Sequence, residues 1–181
     1  MENNKDLLGA GLSIGGQALT FLLDDSMYAL SISTVREIVD VSTITTIPRT
    51  PDFLRGVLNL RGEAVPVLDL RRRFGLQDCS LSPDHCVIIS ELNTDGHKVT
   101  IGTLVDAVRE VVQLAEDDIK PPPAIGMPLD TECIRGIVRM NGDFVSLLDF
   151  EKICAASGVV NAIKRVQQTK HDMEEAEAEE K

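Results

Sequence analysis

Hydrophobic residues in this chain come in short runs broken by turn-forming clusters, the pattern of antiparallel strands. Residues 19–23 and 27–32 are two apolar runs separated by Asp24-Asp25-Ser26, which predicts a hairpin. Thr34-Val35-Arg36-Glu37 has capping-box spacing. The β-branched residues that follow (Ile38, Val39, Val41, Ile44) favour extended chain. One helical turn and then a strand is the expectation there. Pro48 and Pro51 predict a rigid loop. Residues 57–60 and 64–70 flank Arg61-Gly62 as a second hairpin. Residues 86–92 and 98–105, around Asn93-Thr94-Asp95-Gly96, repeat the first hairpin. A longer loop at 119–128 contains Pro121-Pro122-Pro123 and answers the earlier proline loop. Val160, Ile163 and Val166 mark an amphipathic helix, which Gly158 separates from the turn before it. Residues 1–16 are expected to be loose. The polar stretch 171–181 is expected to be disordered.

The same phrase occurs twice. Leu54-Arg55-Gly56-Val57 returns as Ile134-Arg135-Gly136-Ile137, and Val67-Leu68-Asp69-Leu70 returns as Leu147-Leu148-Asp149-Phe150, at an offset of 80 (134 − 54). Upstream, Val35-Arg36-Glu37-Ile38-Val39 returns as Val108-Arg109-Glu110-Val111-Val112, at an offset of 73 (108 − 35). Two copies are too few for a solenoid. They predict two similar lobes of about 70 residues each, small enough to need one another for stability. With no room for crossover helices, the sheets are expected to be antiparallel. The fold class is therefore all-β with short helices: two barrels of about five strands, one at residues 17–82 and one at 83–158, with a linker near 78–83, then a C-terminal helix and tail at 159–181.

Asn141-Gly142 is a strong hairpin signal, because both central residues of a type I′ turn take positive φ. Arg61 suits positive φ poorly, so the first copy uses either that turn or a type II turn, in which only Gly62 needs positive φ. Positions that match between copies (Gly56/Gly136, Gly62/Gly142, Asp69/Asp149) read as architecture. Asn59/Arg139, Arg61/Asn141 and Pro66/Ser146 differ, and are candidates for a surface used by one lobe only.

Composition narrows the function. Hydrophobic residues make up 43% with no Trp and a single Tyr, so the core rests on Val, Ile and Leu. Net charge is −11, and residues 172–181, with six acids and one base, supply −5 of it. Nucleic-acid binding needs a basic footprint, and Arg71-Arg72-Arg73 is the only basic cluster. Residues 1–16 do not form a signal peptide, and no apolar window is long enough to span a membrane. Cys79, Cys86, Cys133 and Cys154 lack Cys-x-x-Cys spacing and are expected to be reduced, as in cytoplasm.

Catalytic chemistry is not apparent. His85 near Ser80 and Ser90 does not make a triad. His85, Cys86, Cys133 and Cys154 lack the paired spacing of a structural zinc site. Asp69 and Asp149 correspond between copies, but neither lies in the Asp-Thr-Gly or Asp-Ser-Gly setting of an aspartic protease. Each precedes a short helix and is expected to cap it. No catalytic residue, metal or cofactor is predicted.

Gly56-Val57-Leu58-Asn59-Leu60-Arg61-Gly62, followed by Val65-Pro66-Val67-Leu68-Asp69-Leu70-Arg71, resembles the signature of the CheW family of chemotaxis coupling proteins. Val35-Arg36-Glu37-Ile38 and the Ile47-Pro48…Pro51 loop sit where that family has them, and the likeness covers roughly residues 17–155. The resemblance implies two SH3-like five-stranded barrels with a groove between them and no enzymatic activity. It implies a cytoplasmic adaptor beneath the membrane, bridging the tips of methyl-accepting chemoreceptors to the regulatory domain of the histidine kinase CheA. Carried over by motif, the receptor contacts are Val35, Glu37, Ile38, Gly56, Asn59, Arg61 and Gly62. Kinase contacts would lie on the first barrel and its opposite flank. The C-terminal extension and the long loop at 119–128 depart from the family pattern, as in a coupler of another chemosensory pathway such as pilus-based motility.

Overall fold

A computed structural model of the chain describes residues 15–123, 131–155 and 159–180. The first half contains β1 (Gly16–Leu23), β2 (Ser26–Ser31), β3 (Val35–Asp40), β4 (Ile44–Thr45), β5 (Leu54–Leu60), β6 (Glu63–Asp69) and the short helix α1 (Leu70–Arg73). The second half contains β7 (Cys86–Thr94), β8 (His97–Val105), β9 (Ala107–Leu114), β10 (Ile134–Met140), β11 (Asp143–Leu148) and α2 (Phe150–Ala155). The helix α3 (Val159–Glu179) follows. The duplicated, mostly-β architecture is the one the repeat predicts.

The strands do not sort by half. One sheet runs β10-β11-β2-β1-β9 and the other β3-β7-β8-β6-β5-β4. Each half lends its first hairpin to the other half's sheet, so the expected boundary between residues 82 and 83 separates neither sheet. The all-antiparallel expectation is corrected too. β11 runs parallel to β2, with Val145 opposite Met27, and β6 runs parallel to β8, with Val67 opposite Gly102. A parallel pair needs a long crossover. From β6 to β8, α1, the linker and β7 supply it.

This exchange explains why the lent hairpins read as nearly unbroken apolar runs: they are buried on both faces. On β1, Leu19, Phe21 and Leu23 enter a large core between the sheets, whereas Ala18 enters a small core with Val138, Val145 and Leu147. On β7, Ile88 and Leu92 enter the large core, whereas Val87 and Ile89 join Leu58, Val65 and Val67. Each small core is built from both halves, so neither half closes its interior alone.

The repeated motifs are architectural. Asp69 Oδ1 accepts from Arg72 N (3.3 Å), and Asp149 Oδ1 accepts from Lys152 N (3.1 Å), so both cap their helices as expected. Their other oxygens accept from Arg55 (2.8 Å) and Arg135 (3.4 Å). The strands β5 and β10 both carry a bulge ahead of the repeated glycine. A Cβ on Gly56 would run into the Thr45 carbonyl, and one on Gly136 into Ile119 and the Lys120 carbonyl. Both glycines therefore let an edge segment cross close by.

Two local expectations change and one open alternative is decided. The helical turn near Thr34 lies at Ile32–Thr34, before β3. Thr34 Oγ1 donates to Ser31 O (2.8 Å), and Glu37 lies within the strand. The first-copy turn is not type II. Arg61 and Gly62 have φ of +51° and +87°, matching Asn141 and Gly142 at +51° and +87°. Asn59 Oδ1 accepts from Gly62 N (2.9 Å), which helps to hold that conformation. The tail is helical through Glu179 rather than disordered. Its Glu, Gln, Lys, Met and Ala residues favour helix, and i,i+4 contacts such as His171–Glu175 (3.0 Å) reinforce it. Low hydrophobicity does predict its lack of packing, since residues 171–180 are exposed. The expectations for residues 1–14, for the second part of the 119–128 loop and for Gly158 fall outside the described residues.

One polar joint ties α1, the linker and the β8–β9 corner together. Arg71 Nε and Nη2 donate to Asp106 (2.7–2.9 Å), and Arg71 Nη1 donates to Gln77 O (2.6 Å). Asp106 also accepts from Asp24 N (2.7 Å) on the β1–β2 turn. Burial works against the Asp106 carboxylate. The Arg71 and Asp24 hydrogen bonds and the nearby positive charges outweigh it and hold the carboxyl below its ordinary range.

Asp106 therefore contributes stability above the pKa of an unfolded aspartate, and this is lost as pH falls through the lower folded value. Arg71→Ala is expected to cost about 2 kcal/mol, between the values of exposed and buried pairs, and to flatten the acid limb of stability. Urea unfolding at several pH values checks both. Among the described residues, buried Ser90 Oγ and Thr103 Oγ1 have no hydrogen-bond partner. Thr103→Val is expected to raise the unfolding free energy by about 1 kcal/mol, read from the same urea curves.

Candidate partner-binding surface

Four of the seven expected contact residues, Glu37, Asn59, Arg61 and Gly62, come together on the six-stranded sheet. The β5–β6 turn meets β3 through a two-pronged ion pair: Arg61 Nη1 donates to Glu37 Oε1 (3.0 Å) and Arg61 Nη2 to Glu37 Oε2 (2.6 Å). The Arg61 hydrogen bonds, helped by the charges of Arg61 and Arg36, hold the Glu37 carboxyl below the usual glutamate range despite some desolvation. Arg61 is correspondingly raised by Glu37. The Arg61 side chain is 69% exposed and that of Glu37 23%. A pair this open adds little stability. It positions a guanidinium, with one face left to solvent, above a fixed turn.

Ile38, 43% exposed, follows Glu37 on β3 and faces the other side of the strand, and Asn59 and Gly62 are exposed at the turn. Val35 and Gly56 play a different part. Val35 is half-buried against the large core and Gly56 is buried beneath Thr45, so both shape the surface from behind. None of the seven lines the cleft between the two sheets. That cleft, about 290 Å³, is bordered by the charged residues Glu91, Lys98, Arg135 and Glu151. An inter-lobe groove is present, but Glu37, Asn59, Arg61 and Gly62 lie outside it.

A second surface was not anticipated. On β10 and β11, Phe144 is 69% exposed beside a cleft of about 690 Å³ that includes Ile137, Arg139, Pro121 and Pro123. The repeat holds the clue: Phe144 occupies the position of Ala64 (144 − 80). Arg139 had already stood out as different from Asn59. On the first copy, α3 crosses the corresponding region, where Ala162 and Val166 pack with Leu54, Ile47, Phe53 and Val57. Ala64 lies alongside, lining a cleft with Val166 and Met173.

The residues weighed for catalysis and zinc have structural surroundings. Asp69 and Asp149 are each occupied by a helix cap and an arginine. Cys133 and Cys154 lie in the large core, whereas His85 sits at the linker. Cys79, His85 and Asp106 do bring ligand-type atoms within 4.8 Å of one another. However, His85 Nδ1 accepts from Ser82 N (2.9 Å). The neutral ring therefore carries its proton on Nε2, the nitrogen that faces Cys79 and Asp106. Asp106 is already neutralised by Arg71.

Residues 17–157 match the family described as "CheW-like domain". The chain is 35% identical over 147 residues to the chemotaxis protein CheW of Klebsiella aerogenes, covering 81% of this chain and 86% of that one. It is 29% identical over 135 residues to protein FrzA of Myxococcus xanthus, covering 74% and 81%. The crystal structure of scaffolding protein TtCheW from Thermoanaerobacter tengcongensis superposes with a TM-score of 0.71 at 33% identity, covering 83% of this chain and 94% of that one. With its duplicated sheets, its repeated Arg–Asp caps and its Asn-Leu-Arg-Gly turn, the chain belongs to the CheW family.

Proposed function

We propose that this protein is a non-enzymatic adaptor that couples chemoreceptor tips to a CheA-type histidine kinase. The observation that carries the reading is the presence of two separate outward surfaces on one interlocked body. The Glu37–Arg61 tip on one sheet offers a fixed guanidinium and an amide. The Phe144 surface on the other offers an apolar cleft. A bridging protein needs two surfaces, and these differ in chemistry.

The tip suits a helical hairpin that presents a few apolar anchors and a polar group to register against Arg61. Small contacts of this kind give modest affinity, so assembly would draw on many weak contacts together. We place the kinase regulatory domain at the Phe144 cleft rather than on the first barrel, because α3 occupies the equivalent region of the first copy. No helix among the described residues is long and apolar enough to cross a membrane. On this reading the protein works in the cytoplasm and reaches the membrane through its receptors. A coupler of a different chemosensory pathway would use the same two surfaces with other partners.

Arg61→Asn separates recognition from folding, because Asn141 already adopts the same backbone conformation in the second copy. The expected result is an unchanged melting curve with at least roughly tenfold weaker co-sedimentation with a receptor cytoplasmic fragment. Phe144→Asp is expected to keep receptor binding and lose the kinase. Kinase activity in reconstituted receptor–kinase mixtures is the readout for both. Wild-type coupling by both variants would refute the assignment of the two surfaces.

A further inference from the structure

Both lobes carry the same cleft, and only one of the two is open. In the second copy, Lys120 bridges to Ile137 on β10, and the chain continues as Pro121 and Pro123 beside Phe144. In the first copy, Thr45 pairs with Val57, the counterpart of Ile137, and the chain continues as Ile47 beside Ala64, the counterpart of Phe144. The second-copy cleft measures about 690 Å³. Its first-copy equivalent measures about 200 Å³, and Val166, Thr169 and Met173 of α3 form its other wall.

The helix is not held evenly along its length. Its root is fixed: Val159, Ala162, Ile163 and Val166 are 3% exposed or less, and Leu54 packs against Ala162 and Val166. Farther along, the same helix face offers Thr169, Met173 and Glu177 to the cleft, and Met173 is 64% exposed. The last turn carries Glu177 and Glu179 with no basic residue. Carboxylates at the negative end of a helix dipole weaken that end. The half of α3 that lies over Ala64 is therefore the half least firmly attached.

We propose that the distal half of α3, residues 169–179, is a displaceable cover that occupies a second partner cleft. With the cover down, the chain presents one cleft, at Phe144. With the cover lifted, the Ile47–Val57–Ala64 face becomes a second docking surface of the same construction. The partner it fits is the one that fits the Phe144 cleft, so the identity of that partner rests on the adaptor reading. A coupler with one open cleft takes one kinase regulatory domain, and a coupler with two can join two. The cover thus sets how many kinases each molecule links.

Thr169→Pro in the full-length chain tests this. Proline lacks the N–H and collides with the preceding turn, so the helix stops after its root. The melting curve is expected to stay unchanged. In methyl NMR spectra the Ala64 signal is expected to move, and the Leu54 signals, held by Ala162 and Val166, to stay. Sedimentation with the kinase regulatory domain is expected to give one domain per wild-type chain and two per Thr169→Pro chain. Phe144→Asp alone is expected to bind none, and Phe144→Asp combined with Thr169→Pro to bind one. Met173→Lys, at an exposed position, repeats the test without breaking the helix. An Ala64 signal unmoved in both variants would overturn the proposal, because α3 would then not cover the face. So would a moved signal with a stoichiometry that stays at one. A wild-type chain that binds no kinase domain would instead refute the kinase assignment, and the Ala64 signal would then decide the cover alone.

Discussion

The structure depends on the exchange of hairpins between its halves. β1–β2 and β7–β8 lie in the middle of the opposite half's sheet and are buried on both faces. Burial on both sides makes them the most strongly determined parts of the fold, at about 25 cal/mol per Å² of apolar surface removed from water. The small core of each sheet mixes residues from the two halves, so the lobes are interlocked rather than docked. A surface at one end of such a body is held by the whole of it.

That rigidity matters at the Glu37–Arg61 tip. Arg61 takes a backbone conformation that costs a non-glycine residue something. Its guanidinium is returned to Glu37 on β3, a strand at the opposite edge of the same sheet. The second copy keeps the turn with Asn141 but carries Glu110 and Asn141 where the first has Glu37 and Arg61. Divergence between the copies thus falls on the exposed groups while the backbone is retained. The same division separates Ala64, beside the path of α3, from Phe144, which is bare.

Much of this could be read from residues alone. The repeat disclosed the duplicated β architecture, the two-residue turns, the capping aspartates and the tight glycines. The exchange of hairpins was not legible, because residues 18–23 and 87–89, Thr20 aside, carry apolar side chains on both faces whichever sheet receives them. The type I′ turn at Arg61 ran against intrinsic preference and was decided by a hydrogen bond from the backbone and an ion pair across the sheet. The helical tail was missed because low hydrophobicity speaks to packing, not to backbone propensity. Cys79, His85 and Asp106 are scattered over the linker and the β8–β9 corner, and only topology brings them together.

The parallel seam between β2 and β11 joins Met27 to Val145, residues 118 apart in sequence (145 − 27). As the protein emerges from the ribosome, its opening hairpin has no partner for one long edge until nearly the whole fold has been translated. Contacts of such separation form slowly, and a waiting apolar hairpin invites association with other nascent chains. The topology that locks the finished adaptor into one body thus leaves the β1–β2 hairpin without its neighbours in the sheet for most of its synthesis.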